Sequence, residues 1–397
     1  MGRMTASVAG TVSVAATFFV ALVSTARSYD LPSPASPDCI AISTIQELDA
    51  VRNDLTANYC LTANIDGSTA GDFIPIGSEF DSFKGTFDGK GYVIRNLNIR
   101  DQKATAVGLF GQMSGVVKNV TISRSVAHRP RANKFSLYTA VGLLAGIVRN
   151  GKVINCASDG KVIGRVGAFS WAGGLVGQLA AGEIIRSRSS AIVKASIAGG
   201  LVGSSGGATI RASYALGEVQ GSTVGGLVGE AGNDTTIERS FADVFVEADL
   251  KSRSGGLIGS ASTTILTHIT VTNVYSISRV SSEGGAFRFH TSAGLIGQSD
   301  EVAKLAYSYA AGPVVRSGRG NYFGLVGCCI EAAKASYWDV QATGQAESFA
   351  GSGLTTAELS AALPKGFDPS VWAIIPGKSY PYLIGVTPDN LIPRPSD

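Results

Sequence analysis

The chain is poor in charge. Asp, Glu, Lys and Arg make up 16% of its 397 residues, against roughly 25% in an ordinary soluble chain. The signs nearly balance, with 33 basic and 30 acidic residues for a net charge of +3. That leaves no basic footprint for nucleic acid, and none is expected as a partner. Histidine and methionine are scarce, with three residues each, so neither a metal nor any other cofactor is expected. Proline numbers 13 and glycine follows no triplet, which excludes collagen. Hydrophobic residues reach 45%, too many for a disordered chain. Beyond the N-terminus no apolar run approaches the ~20 residues of a membrane helix.

Residues 1–26 read as a secretory signal. Arg3 supplies the positive end, Val8 to Val23 carry no charge, and Ser24 and Ala26 place small residues at the −3 and −1 positions of a cut. A cut after Ser28 is the close alternative. Residues 27–38 are a Pro-rich linker. The expected product is exported, to the periplasm, the cell surface or the medium, with no stable membrane span. Export permits disulfides. Of five cysteines, Cys39 and Cys60 bracket a short helix-like segment and are the candidate bridge. Cys328 and Cys329 are adjacent, and strand alternation would point them to opposite faces. They are expected to be free or buried thiols, and the odd count leaves at least one thiol unpaired, Cys156 among the candidates.

What is abundant is glycine, 50 residues of 397, and it is organised. A word G-L-[FVIL]-[GA] occurs eight times: GLFG 108–111, GLLA 142–145, GLVG 174–177, GLVG 200–203, GLVG 226–229, GLIG 256–259, GLIG 294–297 and GLVG 324–327. The steps between first glycines are 34, 32, 26, 26, 30, 38 and 30. A second word follows at a similar offset, as in TIRASYALGEV. There Ile210, Ala212, Tyr214 and Leu216 alternate with Thr209, Arg211, Ser213 and Ala215, which is the period of a half-buried strand. Each unit is then two or three short strands joined by turns. One unit closes no core by itself, and stacking buries a continuous one. The glycines are expected to supply positive φ at corners and close approach between coils. Tyr214, Phe241, Tyr275, Tyr309 and Tyr337 fall at one place in successive units. An inward stack filling the solenoid core is favoured over an aromatic binding platform.

The ends differ. In 43–55, Thr44 and Glu47 form a capping box, with Ile45, Leu48, Val51 and Leu55 on one face. Thr355 and Glu358 cap a short helix that stops before Pro364. Both are expected to cover open strand edges and keep the solenoid monomeric. The domain reading is signal 1–26, linker 27–38, N-terminal cap and first coils 39–103, repeats 104–340, C-terminal cap 341–390 and a frayed tail 391–397.

These paired words resemble the GLUG-motif family of bacterial secreted and surface proteins. YCLTANID at 59–66, FKGTFDGKGYVIRNLNI at 83–99 and ASYWDVQATGQAESFAGSGLTTAEL at 335–359 look like its lead-in and close. The resemblance covers about residues 39–385. It implies an all-β fold, a right-handed parallel β-helix of about eight coils with short capping helices, like parts of adhesins and haemagglutinin-like proteins. Such repeats also accompany immunoglobulin-cleaving metallopeptidases, where the protease is a separate domain.

Chemistry is harder to find. His128, His268 and His290 stand alone and none is followed by Glu, so there is no zinc-peptidase helix. They read as solvated. Aligned second words put Asp159, Asp243 and Asp339 on one row, with Ala191, Leu216, Ile277 and Ala311 between. At ~4.8 Å per coil the first two are too far apart for glycoside hydrolysis. Glu230, Asp234 and Glu238 are the densest acidic cluster. Asn64, Asp66, Ser68 and Asp72 hint at calcium without its full ligand spacing. Arg129, Arg131 and Lys134, with Arg124 and His128, form a basic insertion at 124–137 that could contact an acidic glycan or lipid head group, though a plain solvated loop is favoured. No catalytic residue is assigned. The expectation is an exported, non-catalytic, adhesin-like surface or matrix protein that binds glycan or protein along its flank. The alternative is a polysaccharide lyase or glycoside hydrolase.

Overall fold

The computed structural model describes residues 39–395, apart from 102, 129–137, 166–168, 263–266, 283–289, 301–302, 317–319 and 331. The signal, the linker and the candidates Arg129, Arg131 and Lys134 lie outside the described residues. Successive units stack in parallel register as an all-β solenoid of about eight turns. The coil at 197–225 shows the plan. Strand Ile197–Gly199 enters a glycine corner, strand Val202–Arg211 leaves it, and strand Tyr214–Gly225 follows a second corner. Each residue pairs with its counterpart one coil on: Val202 with Val228, Ile210 with Ile237, Tyr214 with Phe241 and Gly199 with Gly225.

The glycine corner exists because two coils approach too closely for a side chain. A Cβ on Gly225 would lie 2.6 Å from the Gly259 nitrogen, and would also meet the Val228 carbonyl. None of the word glycines has positive φ, so close approach is their role and corner flexibility is not. The pairing also lengthens the word by one residue. Gly142 aligns with Gly173 and Ala145 with Val176. The second coil's word therefore runs 142–146, one residue out of step with the GLLA reading.

Positive φ belongs to the second corner. Asn119, Asn155, Arg186, Ala212, Arg239, Asn273, Tyr307 and Ala335 all sit there, with φ between 42° and 54°. A non-glycine residue in this region costs about 1–2 kcal/mol. A buried hydroxyl helps to offset it. The backbone N–H after the corner donates to a serine of the next coil: Cys156 to Ser187, Ser187 to Ser213 and Ser213 to Ser240, each at 3.1 Å. Each hydroxyl donates in turn to the carbonyl two residues before it, at 2.9, 2.8 and 2.9 Å. All three serines are buried.

This corner breaks the side-chain alternation. Ile210 points inward, the phase resets at Ala212, and Ser213 and Ala215 point inward after it. Tyr214 and Leu216 therefore face out, and the expectation of an inward aromatic stack is corrected. The rings do stack: Tyr214 on Phe241 and Phe241 on Tyr275 at 4.7 Å, and Tyr275 on Tyr309 at 5.3 Å. They form a second core outside the coils, with Phe367, Trp372, Tyr380 and Leu383. The C-terminal segment thus folds back along the flank. The Trp372 indole donates to Asn273 Oδ1 at 3.0 Å and Tyr309 Oη to the Pro381 carbonyl at 2.6 Å.

The helices are short: α1 Ile45–Ala50, α2 Val340–Thr343 and α3 Thr356–Ala361. Both capping boxes form, Thr44 with Glu47 and Thr355 with Glu358. Leu359 of α3 packs on the aromatic flank, so α3 does more than close an edge. The tail is not frayed as far as it is described: Leu391 packs against that flank and the Pro393 carbonyl accepts from Tyr380 N at 2.9 Å. Cys39 and Cys60 form a disulfide. Cys328 and Cys329 are also joined, against the expectation of thiols. The strand has ended at Phe323 and Cys329 has φ 65°, so strand alternation does not apply there. Cys156 is free and buried, and burial pushes its thiol up to about 12.

Ser213→Ala should leave the Ser187 N–H without its acceptor. We expect a loss of about 1–3 kcal/mol, read as a lower urea midpoint at unchanged m-value. Ser222→Ala, on the outer surface, should change stability by less than about 0.5 kcal/mol.

Candidate functional site

The glycine corner carries an outward row on each side. After the word, the register aligns Gln112, Ile147, Gln178, Ser204 and Glu230. Before it, the register aligns Ala106, Ala140, Trp171 and Ile197. Over the first coils these rows enclose a cleft of about 440 Å³ lined by Phe80, Gln112, Tyr138, Ile147, Arg149 and Trp171, with Glu79 and Gln178. Ile147 gives it an apolar contact and belongs to a small buried cluster with Ala106 and Ala140. The walls are aromatic. The Tyr138 and Trp171 rings lie 5.7 Å apart. Phe169 pairs in register with Tyr138 and is 71% exposed, and Phe80 is 93% exposed.

The polar groups are what mark this cleft. The Trp171 indole donates to Glu230 Oε2 at 3.3 Å. Gln112 is only 7% exposed, yet among the described residues its amide has no hydrogen-bond partner. Among the described residues, the buried side-chain polar atoms without a partner are Arg100 Nε and Arg239 Nε, so the Gln112 amide is not sealed in but opens onto the cleft, where its donor and acceptor are free for a ligand or water. Gln178 and Arg149 add an amide and a guanidinium on the same surface. A second cleft, also about 440 Å³, lies across the Phe80 loop and shares Glu79 and Phe80 with the first. Its charged groups are mostly committed. Arg52 donates to the Ile74 and Pro75 carbonyls at 3.0 and 3.3 Å, Asp81 lies 3.7 Å from Lys84, and Asp101 accepts from Lys103 N at 2.7 Å.

No family model matches the chain. Halomucin of Haloquadratum walsbyi (strain DSM 16790 / HBSQ001) is 33% identical over 176 residues, 40% of this chain. The chain spans about 2% of halomucin's length. A crystal structure at 1.30 Å from Bacteroides ovatus, provisionally named an immunoglobulin A1 protease, matches with a TM-score of 0.52 at 18% identity. It covers 88% of this chain and 93% of that one. That likeness shows the fold alone. An IgA1 protease structure gives 0.44 at 14% identity over 75% of this chain and 21% of that one, too low to support an argument.

The acidic candidates separate. Glu230 reaches the cleft through Trp171. Asp234 Oδ1 accepts from His268 N at 3.4 Å, and Glu238 pairs with Arg211 at 3.2 Å. They are not one site. On the aspartate row, Ser158 pairs with Ser189, so Asp159 is followed by Ser190 and not Ala191. Burial pushes the Asp243 carboxyl up. Asp339 is buried, caps α2 through Gln341 N and Ala342 N at 2.8 Å, and accepts from Tyr380 Oη at 2.7 Å. Its role is to fasten the C-terminal segment. Asp66 accepts from Arg95 and Asn96, both at 3.1 Å, and Asp72 from Asn98 at 2.6 Å. Residues 203–207 carry G-x-S-x-G spacing. Their Ser205 is buried inside a strand and accepts from Thr235 at 3.3 Å, so it offers no exposed nucleophile.

His268 is exposed, but His290 is not solvated as expected. It is 1% exposed and caged by serines: Ser252 at 2.9 Å on Nδ1, with Ser282 and Ser292 at 2.7 and 3.0 Å on Nε2. Burial holds its pKa below the usual 6.5. The unfolded chain then takes up the proton first as pH falls, so this contribution to stability is full above 6.5 and is lost below it. We expect the thermal midpoint to drop between pH 7.5 and 5.5, and His290→Gln to flatten that drop.

Proposed function

We propose that the protein is an exported, non-catalytic β-solenoid of the GLUG-motif type that binds glycan, adhesin-like, through the cleft between Gln112 and Trp171. One observation carries this: the Gln112 amide, with no protein partner among the described residues, opens into a cleft walled by aromatic rings. Sugar rings present C–H faces that pack on aromatic surface. Their hydroxyls both donate and accept, as a glutamine amide does. Tyr and Trp suit such a surface because each joins a large apolar body to a polar tip. A shallow, open cleft on a rod's flank fits a chain better than a small metabolite. Repeated weak contacts on such a rod suit multivalent attachment.

Export rests on the signal-like N-terminus and is in keeping with the halomucin likeness. No helix among the described residues is long and apolar enough to cross a membrane. The name of the Bacteroides ovatus neighbour suggests a peptidase, but no histidine in this chain is followed by glutamate. Glycoside hydrolysis needs a protonated carboxylic acid facing an ionised carboxylate across the bond. Glu79 and Asp81 are exposed, and Glu230 is held by an indole, so binding is the better reading.

Trp171→Ala should lower retention on a responsive polysaccharide at least tenfold while the thermal midpoint stays within a degree or two. Affinity chromatography over a glycan panel reads this, with the size of the eluted chains measured alongside. Shortened chains would replace the binding reading with the enzymatic one.

A further inference from the structure

The two clefts meet at Phe80, and each holds one cation with no partner. Among the described residues, neither the Arg149 guanidinium in the first cleft nor the Lys103 ammonium in the second has an ion pair or hydrogen bond. Of the other charges of the second cleft, Arg52 is used by two carbonyls, Asp81 by Lys84 and Asp101 by the Lys103 N–H, while Glu79 is an exposed carboxylate that a ligand must pass at the junction of the clefts. The residues shared by both clefts are Glu79 and Phe80, and Phe80, at 93% exposure, stands as a ridge between them. The rows that build the first cleft run across the coils, Gln112 to Ile147 to Gln178. A chain lying along them would continue past Phe80 into the second cleft.

Resting on the glycan reading of the first cleft, we propose that the ligand is a linear acidic polysaccharide that occupies both clefts, with one uronate carboxylate on Arg149 and another on Lys103. Arg149 offers a forked donor that matches a carboxylate, and Lys103 a point charge. The Gln112 and Gln178 amides bind hydroxyls of the sugar lying over Ile147, and Tyr138 and Trp171 take its apolar face. Phe80 packs against the linkage that crosses the ridge.

Calorimetric titration of the full exported chain with oligogalacturonates, dimer to octamer, tests this against xylo-oligosaccharides of equal length. Affinity for the acidic series should rise with length until both clefts are filled, and should fall on adding salt, as exposed charge pairs do. Arg149→Gln should weaken every acidic oligomer about tenfold. Lys103→Gln should weaken only the longer ones, and Phe80→Ala should remove the gain with length. Equal binding of the neutral series, insensitive to Arg149→Gln and Lys103→Gln but lost in Trp171→Ala, would overturn the acidic ligand and leave the glycan reading intact. Affinity flat with length would overturn the two-cleft path. If neither series binds, the glycan reading itself falls, and this proposal with it.

Discussion

The central coils depend on one hydrogen bond repeated from coil to coil. At the second corner the backbone turns through a left-handed residue, and the next N–H points into the solenoid where no strand can receive it. A buried serine of the following coil accepts it and passes a proton donor back to its own corner carbonyl. That arrangement lets Asn, Arg, Ala and Tyr occupy a conformation usually reserved for glycine. It also couples neighbours, because Cys156, Ser187, Ser213 and Val274 each donate to the serine of the coil after them. A solenoid stabilised by nearest-neighbour terms follows directly.

The same corner sorts the surface into two aromatic regions with different fates. By resetting the alternation it throws Tyr214, Phe241, Tyr275, Tyr309 and Tyr337 outward. The C-terminal segment covers most of that ladder with Trp372, Phe367 and Leu383. Those rings are spent on holding the chain's end. At the glycine corner, on the first coils, Tyr138, Phe169 and Trp171 also face outward, and among the described residues no segment is laid over them. Large apolar side chains beside an amide that opens to the cleft without a protein partner suit the binding of a ligand.

Much of this architecture is legible in the residues. The glycine words and their partners imply stacked parallel coils. Thr44 with Glu47 and Thr355 with Glu358 mark both capping boxes, and the aromatic ladder is aligned coil by coil. Its direction is not legible, because alternation through TIRASYALGEV looks unbroken and nothing in Ala212 announces a left-handed residue. The recurring buried serines, Ser187, Ser213 and Ser240, are the signal that would have shown the corner. The cleft was hidden for a different reason. Gln112, Tyr138 and Trp171 lie on three coils, and only the register brings them together. Glu230 alone of the acidic candidates reaches it. Cys328 and Cys329 depended on where a strand stops, which no pattern in GLVGCC indicates.

The central claim is that the Gln112 amide is completed by a bound sugar. A crystal structure of the protein with an oligosaccharide it retains tests this most directly. The account predicts a ring over Ile147, its face against Tyr138 and Trp171, with a hydroxyl about 2.7–3.2 Å from the Gln112 amide. A sugar bound elsewhere on the solenoid, with the Gln112 side chain paired to another protein group, would contradict it.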